Sequence, residues 1–299
     1  MNGVDKYVNN QRTFIPGQSW LYYKIYTGTK TAEKVLVEEL IPESEKYIGD
    51  NLIDNWFFIR YSDRGFHIRL RFRLINPSGI GQIMYELSKR LGPFVDQDII
   101  WDVEIGTYKR ELERYGEELM EFSECLFHYD SKMVGEILKC IYLDYSDGLR
   151  WLVGLKSIDT LMDTIGLNQS QKCELISGMN QSFLTEFGDN RRLRKQLGNK
   201  FRVERDRLTE FINLESSSDQ KTHAVIKAIK TRNESIGRLL ETSRSFSFNE
   251  MSQNRLFSLL RAYIHMTMNR LFISENRKYE LVCYDLLTRH YKSEIARMK

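Results

Sequence analysis

The chain has 299 residues, a formal net charge of +3 and a pI of about 8.5. This modest charge gives no overall argument for nucleic-acid binding, and the four cysteines lack the short paired spacing of a zinc or redox motif. The first residues carry no apolar signal region, and no stretch reaches the roughly 18 apolar residues that a membrane-spanning helix needs. The sequence therefore predicts a cytoplasmic protein with reduced thiols and no membrane span.

The first third of the chain is predicted to be rich in β-strands, because aromatic and β-branched runs alternate with polar residues and end at turn residues. A helical pattern follows the first strand and is expected to end at Pro42. The predicted strands are 20–26, 55–61, 66–74 and 99–105, and the predicted helices are 31–40 and 80–91. This order predicts an antiparallel or mixed sheet with covering helices.

The remainder is predicted to be almost entirely helical, since hydrophobic residues recur with a period near 3.6 and proline is absent after Pro93. The predicted helices cover 117–127, 130–143, 147–164, 169–187, 190–213, 220–242, 250–272 and 275–297, with a loop at 215–219. The predicted fold class is therefore α+β. We expect one composite domain over residues 1–299, with a sheet-containing half at 1–116 and a helical half at 117–299.

The most informative stretch is residues 66–74, where apolar and basic side chains alternate as in a half-buried strand. One face carries His67, Arg69, Arg71 and Arg73, with neighbours on that face roughly 7 Å apart. Arginine keeps its charge, and its planar fork suits a carboxylate, a phosphate or an oxyanion. Two interpretations stay open: a strand face neutralised by structural Asp and Glu, or an anion-binding floor.

Two further groups of residues are candidates for chemistry. Glu111 and Arg114 lie three residues apart where the sheet gives way to helix, either as a surface ion pair or as groups that reach into a cleft. His265 and Asn269 share one face of a largely apolar helix. A histidine there is either a hydrogen-bonded core residue or, if it faces a cleft, the natural proton-transfer group. No metal-binding or nucleophile motif accompanies them, so no metal and no cofactor are predicted.

Taken together, these segments resemble the C-terminal domain of lantibiotic dehydratases, which also recurs as a free-standing protein in thiopeptide-type bacteriocin biosynthesis. The matching motifs are spread over nearly the whole chain. They are residues 14–28, Trp56-Phe-Phe-Ile-Arg-Tyr-Ser-Asp63, His67-Ile-Arg-Leu-Arg-Phe72, Glu111-Leu-Glu-Arg-Tyr-Gly116 and His265-Met-Thr-Met-Asn-Arg270.

The resemblance implies a lyase that removes glutamate from a glutamylated Ser or Thr of a ribosomally made precursor peptide, leaving dehydroalanine or dehydrobutyrine. It also implies a separate glutamyl-tRNA-dependent glutamylating protein as a partner, because the glutamylating domain is absent from this sequence. A homodimer is an open alternative. The catalytic residues that the resemblance implies are Arg69, Arg71, Arg114 and His265. Residues of the same motifs that are expected to contact the substrate are Glu111, His67, Asn269 and Arg270, together with Tyr108, which precedes the motif that begins at Glu111.

Two other functions stay open. A [4+2] cycloaddition enzyme on the same fold would join two dehydroamino acids into the pyridine ring of a thiopeptide, and it would need peptide positioning more than an anion cradle. A non-catalytic subunit would present the precursor peptide, captured by strand addition at an exposed sheet edge in the first hundred residues. The presence of Arg69, Arg71, Arg114 and His265 together favours elimination.

Overall fold

The computed structural model describes residues 11–142, 148–242 and 248–298, and these form an antiparallel sheet followed by long helices. The α+β fold class predicted from the sequence is confirmed. The strands are β1 (Thr13–Phe14), β2 (Trp20–Thr27), β3 (Ile53–Ser62), β4 (Phe66–Leu74), β5 (Ile100–Gly106) and β6 (Tyr108–Lys109). The helices are α1 (Thr31–Val35), α2 (Ile41–Gly49), α3 (Ile80–Asp96), α4 (Leu112–Tyr115), α5 (Met120–Ile141), α6 (Arg150–Ile165), α7 (Gln169–Glu186), α8 (Arg191–Asn213), α9 (Gln220–Thr242), α10 (Gln253–Leu271) and α11 (Asn276–Arg297).

The main sheet has the strand order β3-β4-β2-β5, and every neighbouring pair is antiparallel. Its register sets Arg71 directly opposite Tyr22 on one side and Phe57 on the other. Because directly opposed residues share a face of the sheet, Arg71 lies between two aromatic rings. The alternate residues Ile68, Leu70 and Phe72 point to the other face and are fully buried.

Pro42 does not end the first helix, so that prediction is wrong. A π-helical turn over Leu36–Leu40 joins α1 to α2, and Pro42 lies in the first turn of α2. Proline is tolerated there because it lies just after the π-helical turn, where the regular i to i−4 hydrogen-bond pattern is interrupted. Helix α3 likewise runs through Pro93 to Asp96, beyond its expected end at residue 91.

The separate helices predicted at 117–127 and 130–143 are one helix, α5. The apolar pattern is interrupted by His128, Asp130 and Ser131, yet all three are buried. His128 and Ser131 accept hydrogen bonds from the backbone of β3, and Asp130 binds arginine side chains. Specific partners in the fold therefore keep these polar residues on the core face, where a hydropathy pattern does not place them. The expected bounds at residues 143 and 147 lie outside the described residues.

Helices α4, α5 and α10 cover the arginine face of the sheet near its centre. Phe57 of β3 packs on Phe127 of α5 with ring centroids 5.4 Å apart, and Tyr115 of α4 packs on Phe127 and Tyr263 at 5.3 and 5.8 Å. The cover excludes water from the face that holds Arg71, which is 8% exposed. The division into two halves of one domain stays a prediction.

A search of the helices in the described ranges finds none with the length and apolar character that crossing a bilayer requires.

Candidate functional site

The three arginines of β4 have different partners. Arg73 donates from Nε to Asp54 Oδ1 at 2.6 Å, and Arg69 donates from Nη2 to Asp63 Oδ2 at 3.3 Å. Arg71 makes no hydrogen bond or ion pair with another residue of the described chain, and its buried Nε has no partner. Structural acids thus pair with the two outer arginines, whereas the central one has no acid within ion-pair distance among the described residues and feels Glu111 only at longer range.

Aromatic rings surround the guanidinium of Arg71. Its Cζ lies 4.5 Å from the ring centroid of Tyr22, 5.0 Å from that of Tyr108 and 5.2 Å from that of Phe57. Cation–π contacts offset part of the cost of burying the charge, but they leave the N–H groups unsatisfied. Burial is the main reason why the pKa of Arg71 is lowered from its ordinary value.

Arg270 lies close to Arg71 and also has a buried guanidinium nitrogen without a hydrogen-bond partner among the described residues. It is fully buried and donates from Nη1 to Asp130 Oδ2 at 3.0 Å and from Nε to the Phe58 carbonyl at 2.8 Å. Its Nη2 has no partner among the described residues. Asp130 is also approached by Arg232 Nη1 at 3.5 Å, so one buried carboxylate serves two buried guanidinium groups. The neighbourhood therefore has a surplus of positive charge.

Arg71 and Arg270 both line a small cavity of about 40 Å³, which we call the arginine cavity. Its wall includes three further polar residues, Tyr108, Lys109 and Glu111, together with the apolar side chains Phe57, Ile59, Tyr115, Met120, Phe127 and Met266. The space is about that of one water molecule. Two buried arginines with unpartnered N–H groups beside a mostly apolar cavity form a site that favours an anion.

Tyr108 is held rigidly against this cavity. Its hydroxyl donates to Glu124 Oε1 at 2.9 Å, and Glu124 also accepts from Arg110 Nε and Nη2 at 2.7 and 2.6 Å. Burial is the leading cause of the raised pKa of Tyr108 and of Glu124. Tyr108 therefore presents its ring to Arg71 while its hydroxyl is engaged elsewhere.

His265 lines a second, more open space of about 310 Å³, which we call the histidine groove. His265 Nδ1 lies 2.8 Å from Glu280 Oε1, which also accepts from the Tyr284 hydroxyl at 2.8 Å. Glu280 is 1% exposed, and Arg277 Nη1 approaches its other oxygen at 3.6 Å. The pair with Glu280 fixes the ring orientation and leaves Nε2 as the nitrogen that can exchange a proton.

Sequence analysis did not identify Glu280, Arg277 or Tyr284. Their spacing on α11 carries a weak signal, because residues three and four apart share a helix face. Only the packing of α11 against α10 brings that face to His265.

Helix α4 connects the two spaces. Glu111 lines the arginine cavity and Arg114 lines the histidine groove, and Arg114 Nη1 lies 3.2 Å from Glu111 Oε2. On α10, the consecutive residues His265 and Met266 line the groove and the cavity respectively. The arginine cavity and the histidine groove are therefore neighbours across one helical turn.

The remaining predicted residues lie around this centre. Arg69 Nε donates to His67 Nε2 at 3.1 Å, and its guanidinium lies over the Tyr61 ring at 3.4 Å. Desolvation is the main cause of the lowered pKa of the fully buried His67. The side-chain amide of Asn269 donates from Nδ2 to the Arg60 carbonyl at 2.8 Å and accepts at Oδ1 from the Arg60 N–H at 2.9 Å. Arg69, His67 and Asn269 line neither the cavity nor the groove.

In the described residues, no three side chains among His, Cys, Asp and Glu are grouped in a way that could hold a metal ion.

An antiparallel sheet with a covered arginine face, a mainly helical second half and a histidine paired with a buried acid define an α+β protein with a cavity that two buried arginines line. The chain belongs to the lantibiotic biosynthesis dehydratase C-terminal family, whose sequence profile matches residues 20–291.

Two curated relatives are similar over most of this chain. It is 25% identical over 296 residues to the subtilin biosynthesis protein SpaB of Bacillus subtilis, covering 95% of this chain and 27% of SpaB. It is 25% identical over 295 residues to the nisin biosynthesis protein NisB of Lactococcus lactis subsp. lactis, covering 92% of this chain and 26% of NisB. The chain thus spans about a quarter of the length of these relatives.

Two solved structures share the fold. The tRNA-dependent lantibiotic dehydratase MibB from Microbispora sp. 107891 matches with a TM-score of 0.74 and 23% identity, over 95% of this chain and 29% of MibB. The pyridine synthase TbtD from thiomuracin biosynthesis matches with a TM-score of 0.64 and 14% identity, over 94% of this chain and all of TbtD, at 100%.

Proposed function

We propose that this chain carries out the elimination half of a peptide dehydration, expelling glutamate from a glutamylated Ser or Thr of a ribosomally made precursor peptide. The observation that carries this proposal is Arg71, a buried guanidinium without any ion pair or hydrogen bond in the described chain. A buried unpaired charge is costly, so its retention needs a reason. An anionic leaving group bound beside Arg71 provides that reason.

The reaction is a β-elimination of an ester. A base removes the α-proton of the modified residue, its electron pair forms the Cα–Cβ double bond, and the Cβ–O bond breaks with its pair leaving on the glutamate carboxylate. Negative charge therefore grows on the leaving carboxylate. Fixed cations in a site that excludes water are suited to this step, because they need no reorganisation when the charge appears.

We assign the leaving carboxylate to Arg71, with the unpartnered Nη2 of Arg270 as the second donor beside it. We assign proton transfer to Nε2 of His265, because the pair with Glu280 leaves that nitrogen available.

The other residues have supporting roles in this proposal. Glu111 holds Arg114 at the junction of the arginine cavity and the histidine groove, where Arg114 meets the second carboxylate of the glutamyl group. The ring of Tyr108 lines the arginine cavity. Arg69 and His67 lie on the same strand as Arg71 and contact the substrate before it enters the cavity. Asn269 acts through the backbone of β3, since the oxygen and the NH2 group of its side-chain amide are both bonded to Arg60.

A second candidate is formation of a thiopeptide pyridine ring, favoured by the match to the whole length of the pyridine synthase TbtD. That cycloaddition joins two dehydroamino acids and expels no carboxylate at the step that joins them. It gives no reason to keep Arg71 buried and unpaired, so we place it second. A non-catalytic peptide-binding subunit is the third candidate and leaves His265 and Arg71 equally unexplained.

We include in the proposal a cytoplasmic location and a glutamyl-tRNA-dependent glutamylating protein that supplies the substrate. Full-length relatives four times longer than the matched segment have ample room for that activity. A homodimer is compatible with the proposal and is not required by it.

Mass spectrometry of a synthetic peptide with one glutamylated Ser tests the proposal. We expect the protein to convert it to a product lighter than the unmodified Ser peptide by one water, with release of free glutamate. An unchanged glutamyl peptide, together with cyclisation of a peptide that carries two dehydroalanines, would establish the second candidate instead. Binding of both peptides without any conversion would establish the third.

A further inference from the structure

The two edges of the main sheet differ in how their backbone groups are satisfied. At the β3 edge, the backbone groups of Trp56, Phe58 and Arg60 are hydrogen-bonded by side chains from two helices. The side chains that make these bonds are His128 and Ser131 of α5 and Asn269 and Arg270 of α10. Because its polar groups are occupied, the β3 edge cannot accept a further strand.

The β5 edge lacks comparable hydrogen bonds from side chains of the described residues. Among the strands of the described residues, β5 pairs with β2 alone, so its outer row of N–H and C=O groups faces away from the sheet. Within the ranges that the structure describes, no side chain of another element hydrogen-bonds to the backbone of residues 100–106. An open row of this kind is a template on which an extended peptide can form a further strand.

An apolar groove runs beside this open edge, between α3 and β5. It has a volume of about 350 Å³ and is lined by Met84, Leu91 and Val95 from the helix and by Val103 and Ile105 from the strand. Ten large hydrophobic side chains are exposed in the described part of the chain, and five of them, Met84, Tyr85, Val95, Trp101 and Val103, belong to α3 or β5. Exposed apolar side chains are therefore concentrated where the edge is open, which is typical of a binding surface.

The charge at this groove is opposite to that of the arginine cavity. Of the described residues that line the groove, Asp96 is the single charged one, and Asp98 and Asp102 flank it at the start of β5. All three side chains are exposed, and none has an ion-pair partner among the described residues. The complementary ligand is an extended peptide with alternating apolar side chains and a Lys or Arg near Asp96.

We propose that the β5 edge and its groove bind a segment of the precursor peptide as a fifth strand, away from the Ser or Thr that reacts. The peptide backbone pairs with β5, alternate apolar side chains enter the groove, and a basic side chain meets Asp96. This inference rests on the proposed function, because it names the peptide substrate as the occupant. Anchoring one segment raises the effective concentration of the reacting residue at the arginine cavity.

Tryptophan fluorescence offers a direct test, because Trp101 on β5 is 56% exposed and the other three tryptophans, Trp20, Trp56 and Trp151, are at most 7% exposed. The probe is a capped synthetic peptide of about ten residues with alternating Val and Lys, long enough to pair with a strand of this length. We expect a saturable blue shift of the emission. A peptide of alternating Val and Glu, or a Val–Lys peptide with N-methylated backbone amides, should bind at least about tenfold more weakly.

Variants place the binding on the edge strand. Val103→Lys should weaken binding of the Val–Lys probe by about tenfold or more, because lysine blocks an exposed edge. Val203→Lys on α8, where the valine is 81% exposed, is the matched control and should leave binding unchanged. Trp101→Phe should remove the fluorescence signal, with binding then followed by calorimetry. Equal binding of the probe by wild type and Val103→Lys overturns the proposal. A blue shift that appears without peptide as the protein concentration rises also overturns it, because a second copy of the chain then occupies the edge.

The groove and the proposed function can fail separately. If the protein releases glutamate from a short glutamylated peptide but does not bind the Val–Lys probe, the proposed peptide-binding role of the groove is wrong and the proposed elimination stands. Edge-dependent binding of the probe, together with no glutamate release from any glutamylated peptide, overturns the elimination and leaves the binding surface.

Discussion

His265 and Glu280 form a hydrogen-bonded pair, with Nδ1 of the imidazole 2.8 Å from a carboxylate oxygen that is almost fully buried. Glu280→Gln keeps the shape but weakens the hold on the imidazole tautomer, so we expect the elimination rate to fall by roughly 10- to 100-fold. Tyr284→Phe removes the other bond to the same oxygen and should cost far less. Rates of glutamate release as a function of pH measure the effect. A variant with an unchanged rate and pH profile contradicts the role of Glu280 as a positioning residue.

Glu111 and Arg114 can be tested as a pair. If Glu111 only holds Arg114, Glu111→Gln should lower glutamate release by less than about tenfold, and Arg114→Ala should lower it by more. The side chains of Glu111 and Arg114 are 60% and 49% exposed. Because surface ion pairs contribute little to stability, we expect neither change to alter the unfolding midpoint. Single-turnover kinetics of a glutamylated peptide provides the measurement. Loss of more than about a thousandfold in Glu111→Gln alone would instead identify Glu111 as the base.

Asp130 is predicted to be important for stability, because it is a buried acid shared by two buried arginines. It accepts from Arg270 and Thr267 at 3.0 Å and faces Arg232, so Asp130→Asn leaves two buried guanidinium groups without a counter-charge. We expect the free energy of unfolding to fall by about 3–5 kcal/mol in urea titrations. Asp189→Asn, which breaks the surface pair with Arg194, is the control and should change it by less than about 1 kcal/mol. If the two changes lower the free energy of unfolding equally, the contacts of Asp130 with Arg270, Thr267 and Arg232 do not stabilise the fold as proposed.

His128 should make stability fall in mild acid. It is buried against the backbone of Trp56, and desolvation lowers its pKa from 6.5 to about 4. The unfolded chain therefore binds a proton between these two values that the folded chain does not. Stability is complete above pH 6.5 and is lost as the pH falls toward 4, by up to about 3 kcal/mol from this residue.

Urea midpoints measured from pH 7.5 to 4 check this prediction. The His128→Gln variant should show a shallower decline than the wild type, because the titrating group is gone. His223→Gln, at an exposed position on α9, should follow the wild-type curve. A decline that is the same in all three proteins would mean that other groups control the acid sensitivity.

The alternation of residues 66–74 was enough to predict both the strand and its arginine face, because a period of two follows directly from strand geometry. It was not enough to separate Arg71 from Arg69 and Arg73. That distinction depends on Asp54 near the start of β3 and on Asp63 in the turn that follows β3, which the strand register brings to Arg73 and Arg69. A local sequence pattern contains no information about that register.

Glu280 is a second feature that the sequence did not predict. His265 could be recognised as a candidate from its own sequence, but the acid that orients it comes from another helix, and only tertiary packing joins them. His128 and Ser131 show the reverse case, since they interrupt an apolar pattern and yet lie in the core because β3 offers them backbone partners. Polar residues with distant partners are therefore what the sequence predicted least well.

The central claim is that Arg71 is kept buried and unpaired for an anionic leaving group, and Arg71→Met tests it most directly. Met fills a similar volume without the charge, so we expect the unfolding free energy to stay equal or to rise by about 1–4 kcal/mol. Glutamate release from a glutamylated peptide should fall by roughly a hundredfold or more. Arg73→Met, which breaks a pair with Asp54, is the matched control and should retain activity. An Arg71→Met protein that releases glutamate at the wild-type rate would contradict the account.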